Sequence, residues 1–386
     1  MAKNRKDNKG RLLKTGESQR KDLIYQYRFV DLYGKRHCVY ASDLQELREK
    51  EKTIQDSYYM GIDYAAGNIT VRELVNRYVS LKQGVRYNTR VGYRFVQNIL
   101  EKEEFGARRI SEIKVSDVQL WMIKMQREGK RYSTLTSIRG VLKPAFQMAC
   151  NEDILRKNPF EFKLTDVVVN DSEKRAYLTQ EQQEIWMRFI KTDETYKKYY
   201  DEFVVLLGTG IRVSEFCGLT VKDIDFVKRR IRVDHQLVRE RNGHYYVERT
   251  KTEAGRRYIP MTNDVYQSLK NIIAKRKKLN IEWVIDGYSG FILLDKNDRP
   301  KVALHIENEM RWARAKYKKL HPEQPLPHIT PHVMRHTFCT NMANAGLELK
   351  SLQYVMGHSD AGITMNVYTH INYNRAEQQM LAAMER

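Results

Sequence analysis

Residues 352–370 read Leu352-Gln-Tyr-Val-Met-Gly357-His358-Ser-Asp-Ala-Gly-Ile-Thr-Met-Asn-Val-Tyr368-Thr-His370. A glycine separates an apolar run from a histidine, and a second apolar run leads to a tyrosine. Upstream, His332-Val-Met-Arg335-His336-Thr337 sets His332 and Arg335 three apart, on neighbouring positions of a helix. Further upstream, Lys251-Thr-Glu-Ala-Gly-Arg-Arg257 reads as a hairpin tip with a lysine at its entry. Thr209-Gly210-Ile-Arg212-Val-Ser-Glu215-Phe-Cys-Gly218-Leu219 places an arginine just after a glycine turn, beside the apolar pair Leu206-Leu207. Taken singly, Arg212 reads as a helix-terminal or salt-bridging residue and the lysine segment as a solvated loop. The order of the motifs is more informative than any one of them.

Competing chemistries are poorly represented. The chain has no GxxxxGK[ST] and no glycine-rich dinucleotide fingerprint, which argues against a nucleotide cofactor. His332 and His336 have the helical spacing of a zinc pair, but position 333 is valine rather than the glutamate that would serve a metal-bound water. No metal site and no cofactor are expected. The four cysteines (Cys38, Cys150, Cys217, Cys339) form no CxxC pair, which fits a reducing cytosol better than a disulfide framework. No apolar run approaches the ~20 residues of a membrane span. The basic N-terminus leads into no apolar stretch, so a secretory signal is not expected.

Charge points to the partner. Lys and Arg number 68 against 48 Asp and Glu, a formal net charge of +20, which suits a polyanion: nucleic acid first, an anionic membrane surface second. The membrane reading lacks a basic amphipathic anchor helix.

The 386 residues allow two or three domains. Residues 1–66 read as a small basic unit of about three strands (around Arg11–Lys14, Tyr25–Val30 and Arg36–Tyr40) and one helix. A turn at Tyr33-Gly34-Lys35 joins the last two strands; Ser42 and Gln45 form a capping box before Leu44, Leu47, Ile54 and Tyr58. Residues 67–160 carry four helical patterns. The first is boxed by Thr70 and Glu73, the second follows Asn88, and the third is boxed by Ser116 and Gln119 and carries Val118, Leu120, Trp121 and Met125. The fourth begins at Ser133 and contains Pro144. This region holds 18 Lys and Arg against nine Asp and Glu. Arg86, Tyr87, Thr89, Arg90 and Arg94 gather at the start of its second helix, and Lys130, Arg131, Ser133 and Thr134 at the start of its fourth. Helix N-termini with arginine and hydroxyl side chains suit phosphate contacts, although any single one, taken alone, reads sooner as a solvated surface residue than as a contact. Residues 161–174 read as a polar linker. Residues 175–386 form a last domain, opening with a box at Thr179 and Gln182. It continues through a mixed region with strands near Ile231–Val238, Tyr245–Arg249 and Tyr258–Pro260, and ends in helices.

Over residues 175–372 the segments TGIRVSEFCGL, KTEAGRR, PHVMRHTF and LQYVMGHSDAGITMNVYTH resemble the tyrosine recombinase (phage-type integrase) family, whose pattern runs Arg, Lys, His-x-x-Arg, His, Tyr. Every position is filled, by Arg212, Lys251, His332, Arg335, His358 and Tyr368. The added basic unit makes integrases of conjugative transposons the nearest resemblance. The resemblance implies a multidomain protein, mainly α with small β-sheets. An α+β catalytic fold would be preceded by a four-helix core-site-binding domain and a sheet-plus-helix arm-site-binding domain. It implies a bacterial, cytoplasmic enzyme acting on double-stranded DNA as a homotetramer, with a directionality factor and a DNA-bending protein as further partners. A C-terminal segment is exchanged between subunits in that family; here Met380, Leu381 and Met384 form an apolar stripe that would dock on a neighbour or close its own core.

The chemistry is consistent with that pattern. A tyrosine hydroxyl, with a pKa of about 10, needs a base to attack phosphorus. His332 is the candidate. Arg212 and Arg335 offer charged forks for the non-bridging oxygens, His358 a further hydrogen bond, and Lys251 a proton for the leaving 5′-oxygen. No metal or ATP is needed. Two other readings stand beside this one: a type IB topoisomerase, and a DNA-binding regulator without chemistry.

Overall fold

The computed structural model describes residues 5–30, 34, 36–59, 68–172, 177–250, 253–368, 380, 381 and 384, the side chains of residues 57–59, 363 and 366–368 excepted. The chain divides into two units, Met1–Ser172 and Glu173–Arg386.

The first unit opens with an antiparallel sheet of β1 (Glu17–Gln19), β2 (Tyr25–Val30) and β3 (Arg36–Ala41), in that order. Tyr25 and Phe29 of β2 face inward, while Leu44 and Leu47 of α1 (Leu44–Tyr59) close the small core. The strand expected at Arg11–Lys14 is reduced to an isolated bridge between Lys6 and Leu12. The carboxylate of Asp7 accepts the amides of Lys9 and Arg11 and the Arg11 guanidinium, which curls the chain instead of extending it. The cap of α1 also differs from the Ser42–Gln45 box. Asp43 accepts the Gln45 amide at 3.0 Å, while Ser42 is held through its amide and hydroxyl by Glu46. Of the turn expected at Tyr33-Gly34-Lys35, only Gly34 lies among the described residues, at φ +82°.

The helical part contains α2 (Val71–Ser80), α3 (Tyr87–Lys102), the short α4 (Glu104–Ala107), α5 (Val115–Arg127) and α6 (Tyr132–Asn151). Thr70 and Glu73 form the predicted capping box. At α5 the box is not Ser116–Gln119: the helix starts one residue earlier, and Asp117 reaches back to the Lys114 amide at 2.8 Å. Val118, Trp121, Met122 and Met125 line one stripe, whereas Leu120 falls on the opposite side and is exposed. Phe105 stacks on Trp121 with centroids 4.1 Å apart. Pro144 lies within α6. The segment 161–174, read as a linker, is packed against this core through Leu164 and Val168, which continue at fourfold spacing from Phe160 among polar neighbours. Asp171 further ties it down, accepting the Tyr132 amide at 2.8 Å.

The second unit begins with α7 (Gln180–Thr192), capped by the predicted Thr179–Gln182 box. α8 (Tyr200–Thr209) and α9 (Val213–Gly218) follow. The strand read as Ile231–Val238 is two strands in two sheets. β4 (Ile224–Asp225), β5 (Arg230–Val233) and β8 (Arg257–Pro260) form one sheet in the order β4-β5-β8, and β6 (His235–Arg239) pairs with β7 (Tyr245–Arg249) in another. The division falls at Asp234, whose carbonyl accepts the Thr250 amide and whose carboxylate lies 2.5 Å from His235 Nδ1. Of the hairpin tip expected over Lys251–Arg257, the described residues 253–256 instead lie between strands of two different sheets, because β7 and β8 have different partners.

The unit ends with α10 (Asn263–Lys275), α11 (Ala303–Leu320), α12 (Pro331–Asn344), α13 (Leu349–Met356) and α14 (Ala361–Tyr368). Under α11, Lys301 Nζ lies 2.7 Å from Glu202 and 3.0 Å from Glu309, all three buried. Burial and the nearby Glu202 push the Glu309 carboxyl up to about 7. Of the C-terminal tail, Met380, Leu381 and Met384 are described; they are helical and exposed. Among the described residues no helix is long and apolar enough to cross a membrane.

Candidate active site

Two left-handed glycines shape the site. Gly210, at φ +61°, ends α8 and turns the chain so that Arg212 starts α9. Gly357, at φ +62°, ends α13 and delivers His358. A Cβ on Gly210 would fall 2.4 Å from the Phe338 ring, so close packing as well as backbone conformation requires glycine there.

Arginines join these turns. Arg335, buried in the middle of α12, donates from Nη1 to the Gly210 carbonyl at 2.5 Å and from Nη2 to the Met356 carbonyl. Arg212 donates from Nη2 to the Gly357 carbonyl at 3.0 Å and from Nη1 to Glu215 Oε1 at 2.7 Å. Glu215 also accepts the Arg212 amide, and receives Arg257 at 2.8 Å. Burial alone would raise the Glu215 carboxyl, but Arg257, Arg212 and Arg335 together hold it below its ordinary range. Burial, with Arg212 nearby, lowers Arg335 to about 9, which leaves it charged at neutral pH. His358 is pushed down to about 3 by burial and then by Arg335 and Arg212, so its ring is neutral at pH 7. Its Nδ1 lies 2.9 Å from the hydroxyl of buried Thr364, on α14.

The structure thus brings Arg212, Arg335 and His358 together. His332 is exposed in the first turn of α12, three residues before Arg335. Tyr368 is the last residue of α14, one turn beyond Thr364; its side chain, and Lys251 entirely, fall outside the described residues. Glu215, Arg257 and Thr364 were not singled out from the sequence. Glu215 had a signal, since its spacing from Arg212 is that of a capping acid; Arg257 and Thr364 had none.

A second polar cluster has ligand-like spacing: candidate atoms of Asp223, Asp234 and His235 lie within 4.8 Å of one another. Its groups are already engaged. Asp223 receives Arg232 on Oδ1 and Thr220 on Oδ2, and His235 is set between Asp234 and the Gly218 carbonyl.

In the first unit, Arg86 and Arg131 are the N-cap residues of α3 and α6. Thr89, Arg90, Arg94, Lys130 and Ser133 are exposed there, while Arg86, Tyr87 and Thr134 are half-buried.

A sequence profile of the phage integrase family matches residues 176–375, over half the chain, and one of the DNA binding domain of Tn916 integrase matches residues 1–58. The protein belongs to the phage integrase family, as a tyrosine recombinase that cleaves and rejoins DNA strands. It is 42% identical over 394 residues to the transposase from transposon Tn916 of Enterococcus faecalis, covering 98% of this chain and 96% of that one. The transposase from transposon Tn1545 of Streptococcus pneumoniae matches to the same extent, 42% over 98% and 96% of the two chains. The Tn1549 transposon integrase, solved in complex with transposon right end DNA, superposes with a TM-score of 0.77 at 42% identity, over 81% of this chain and 99% of that one.

Proposed function

We propose that Tyr368 is the nucleophile with which this recombinase integrates and excises a mobile element through a 3′-phosphotyrosyl DNA intermediate. The observation that carries this reading is the union of Arg212, Arg335 and His358 around two glycine turns, with the His358 ring held to the helix that ends at Tyr368.

In this scheme the Tyr368 oxygen bonds to phosphorus as the bond to the 5′-oxygen breaks. His332 takes the tyrosine proton and Lys251 gives one to the departing oxygen. Arg212 and Arg335 face the non-bridging oxygens. A neutral His358 whose Nδ1 accepts from Thr364 carries its hydrogen on Nε2, ready to donate to the same phosphate. A 5′-hydroxyl from the partner strand reverses the step. The bond energy stays in the phosphotyrosine, so no step requires a metal or ATP.

The helix starts at Arg86–Arg94 and Lys130–Thr134 would grip the DNA backbone. A basic domain (1–66), a helical domain (67–160) and a catalytic domain (175–386) would divide arm-site binding, core-site binding and chemistry. Four subunits would act on two DNA sites in the bacterial cytoplasm, assisted by a directionality factor and a DNA-bending protein. The exposed Met380, Leu381 and Met384 would dock on a neighbouring subunit. Truncation after Asn374 would then impair tetramer assembly on DNA.

Incubation with nicked element-end DNA should trap a covalent adduct on a denaturing gel, and Tyr368→Phe should abolish it while DNA binding persists. An adduct in that variant refutes the assignment. Failure of the wild type to form one on any element end would favour a DNA-binding regulator, and relaxation of any plasmid without strand exchange would favour a topoisomerase.

A further inference from the structure

Arg257 has no part in the reaction scheme, yet its guanidinium is completely buried beside the site. Nη2 donates to Glu215 Oε2 at 2.8 Å, and Nη1 to Glu215 Oε1 at 3.3 Å and to the Gly255 carbonyl at 3.0 Å. Nε donates to the Val355 carbonyl at 2.7 Å. A Cβ on Gly357 would lie 2.8 Å from Nη1, so the guanidinium rests directly on the turn that carries His358.

Glu215 is the reason such a group is needed. A buried carboxylate 2.7 Å from Arg212 orients that arginine but would also neutralise it, leaving little charge for a phosphate. With Arg257 as a second partner, one carboxylate is shared by two guanidiniums and a positive charge remains. That charge can be used only through Arg212, whose side chain is 35% exposed, because Arg257 is sealed. We propose that Arg257 is a positioning residue acting through Glu215: it serves as the buried counter-ion of that carboxylate, so that Arg212 keeps both its alignment and its charge for the scissile phosphate. This rests on the reading of Arg212 as a phosphate-gripping group.

The test compares strand cleavage of a normal nicked substrate with one carrying a methylphosphonate at the scissile position, which lacks the phosphate's negative charge. Arg257→Met should slow cleavage of the phosphodiester by about 10²-fold while changing methylphosphonate cleavage by less than about threefold. Adding Glu215→Gln should restore about tenfold or more of the lost phosphodiester rate, since the uncompensated carboxylate is gone. Equal losses on both substrates, or no recovery in the double variant, overturn the proposal. Should Arg257→Met fail to bind DNA, Arg257→Lys takes its place. It keeps the charge without the fork, so a smaller loss confined to the phosphodiester is expected, and equal loss on both substrates again refutes it. Arg212→Met separates the two ideas: a uniform loss there sinks the phosphate-gripping reading itself, whereas a selective loss there with a uniform loss at position 257 sinks only the role of Arg257.

Discussion

The helical part of the first unit closes on Leu74, Leu100, Met122, Leu142 and Phe146, whereas the second unit, at its site, closes on Arg335, Arg257 and Glu215. The first arrangement needs nothing beyond shape and apolar area. The second takes charges out of water, and each must be answered by a partner: Glu215 by two arginines, Arg335 by the carbonyls of Gly210 and Met356. An apolar centre stabilises its unit, while a charged centre spends stability to hold electrostatic groups in place before substrate arrives.

Several substitutions would sharpen or break that contrast. Phe146→Ala should have the largest effect, removing about 3–5 kcal/mol of stability by opening a cavity under α6, and DNA binding should fall with it; a denaturation curve close to wild type would mean that this core is not the support of the unit. Arg335→Met should invert the pattern. Cleavage should drop by about 10²–10³-fold, with little change in melting temperature, because relief of a buried charge offsets the carbonyl bonds lost. A collapse of stability in that variant would show that the charged centre holds the fold as well.

Glu309 provides a pH test of buried charge away from the site. Its folded-state pKa is raised to about 7 from an ordinary 4.5. The associated stability is therefore fully present below about pH 4.5 and is lost as pH rises through 7. Glu309→Gln should remove this slope, gaining on the order of 2–3 kcal/mol relative to wild type between pH 5 and pH 8; denaturation at the two pH values checks it, and parallel slopes would reject it. Thr70→Ala should have the smallest effect, about 1 kcal/mol from loss of the α2 cap, measurable in the first unit and without effect on the cleavage step once DNA is bound.

Local rules succeeded where a signal and its partner lie within one turn. The boxes at Thr70–Glu73 and Thr179–Gln182 form as read, and the strands Tyr25–Val30 and Tyr245–Arg249 have the expected bounds. They failed where two acceptors compete: Asp43 outdoes Ser42, and Asp117 outdoes Ser116 with Gln119, because an ionised carboxylate is the stronger acceptor. They failed again at Asp234, where only pairing with other strands reveals that one extended run serves two sheets.

The motif order, from Arg212 to Tyr368, was sufficient to point to the recombinase pattern and its chemistry, because residue type and succession are properties of the chain alone. How the charges are balanced was decided by tertiary structure. Arg257 lies 42 residues from Glu215, and the Val355 carbonyl it binds lies 98 residues away. No local spacing encodes such a meeting. It arises when β8, α9 and the end of α13 converge, and burial then makes each unpaired charge too costly to leave without a partner.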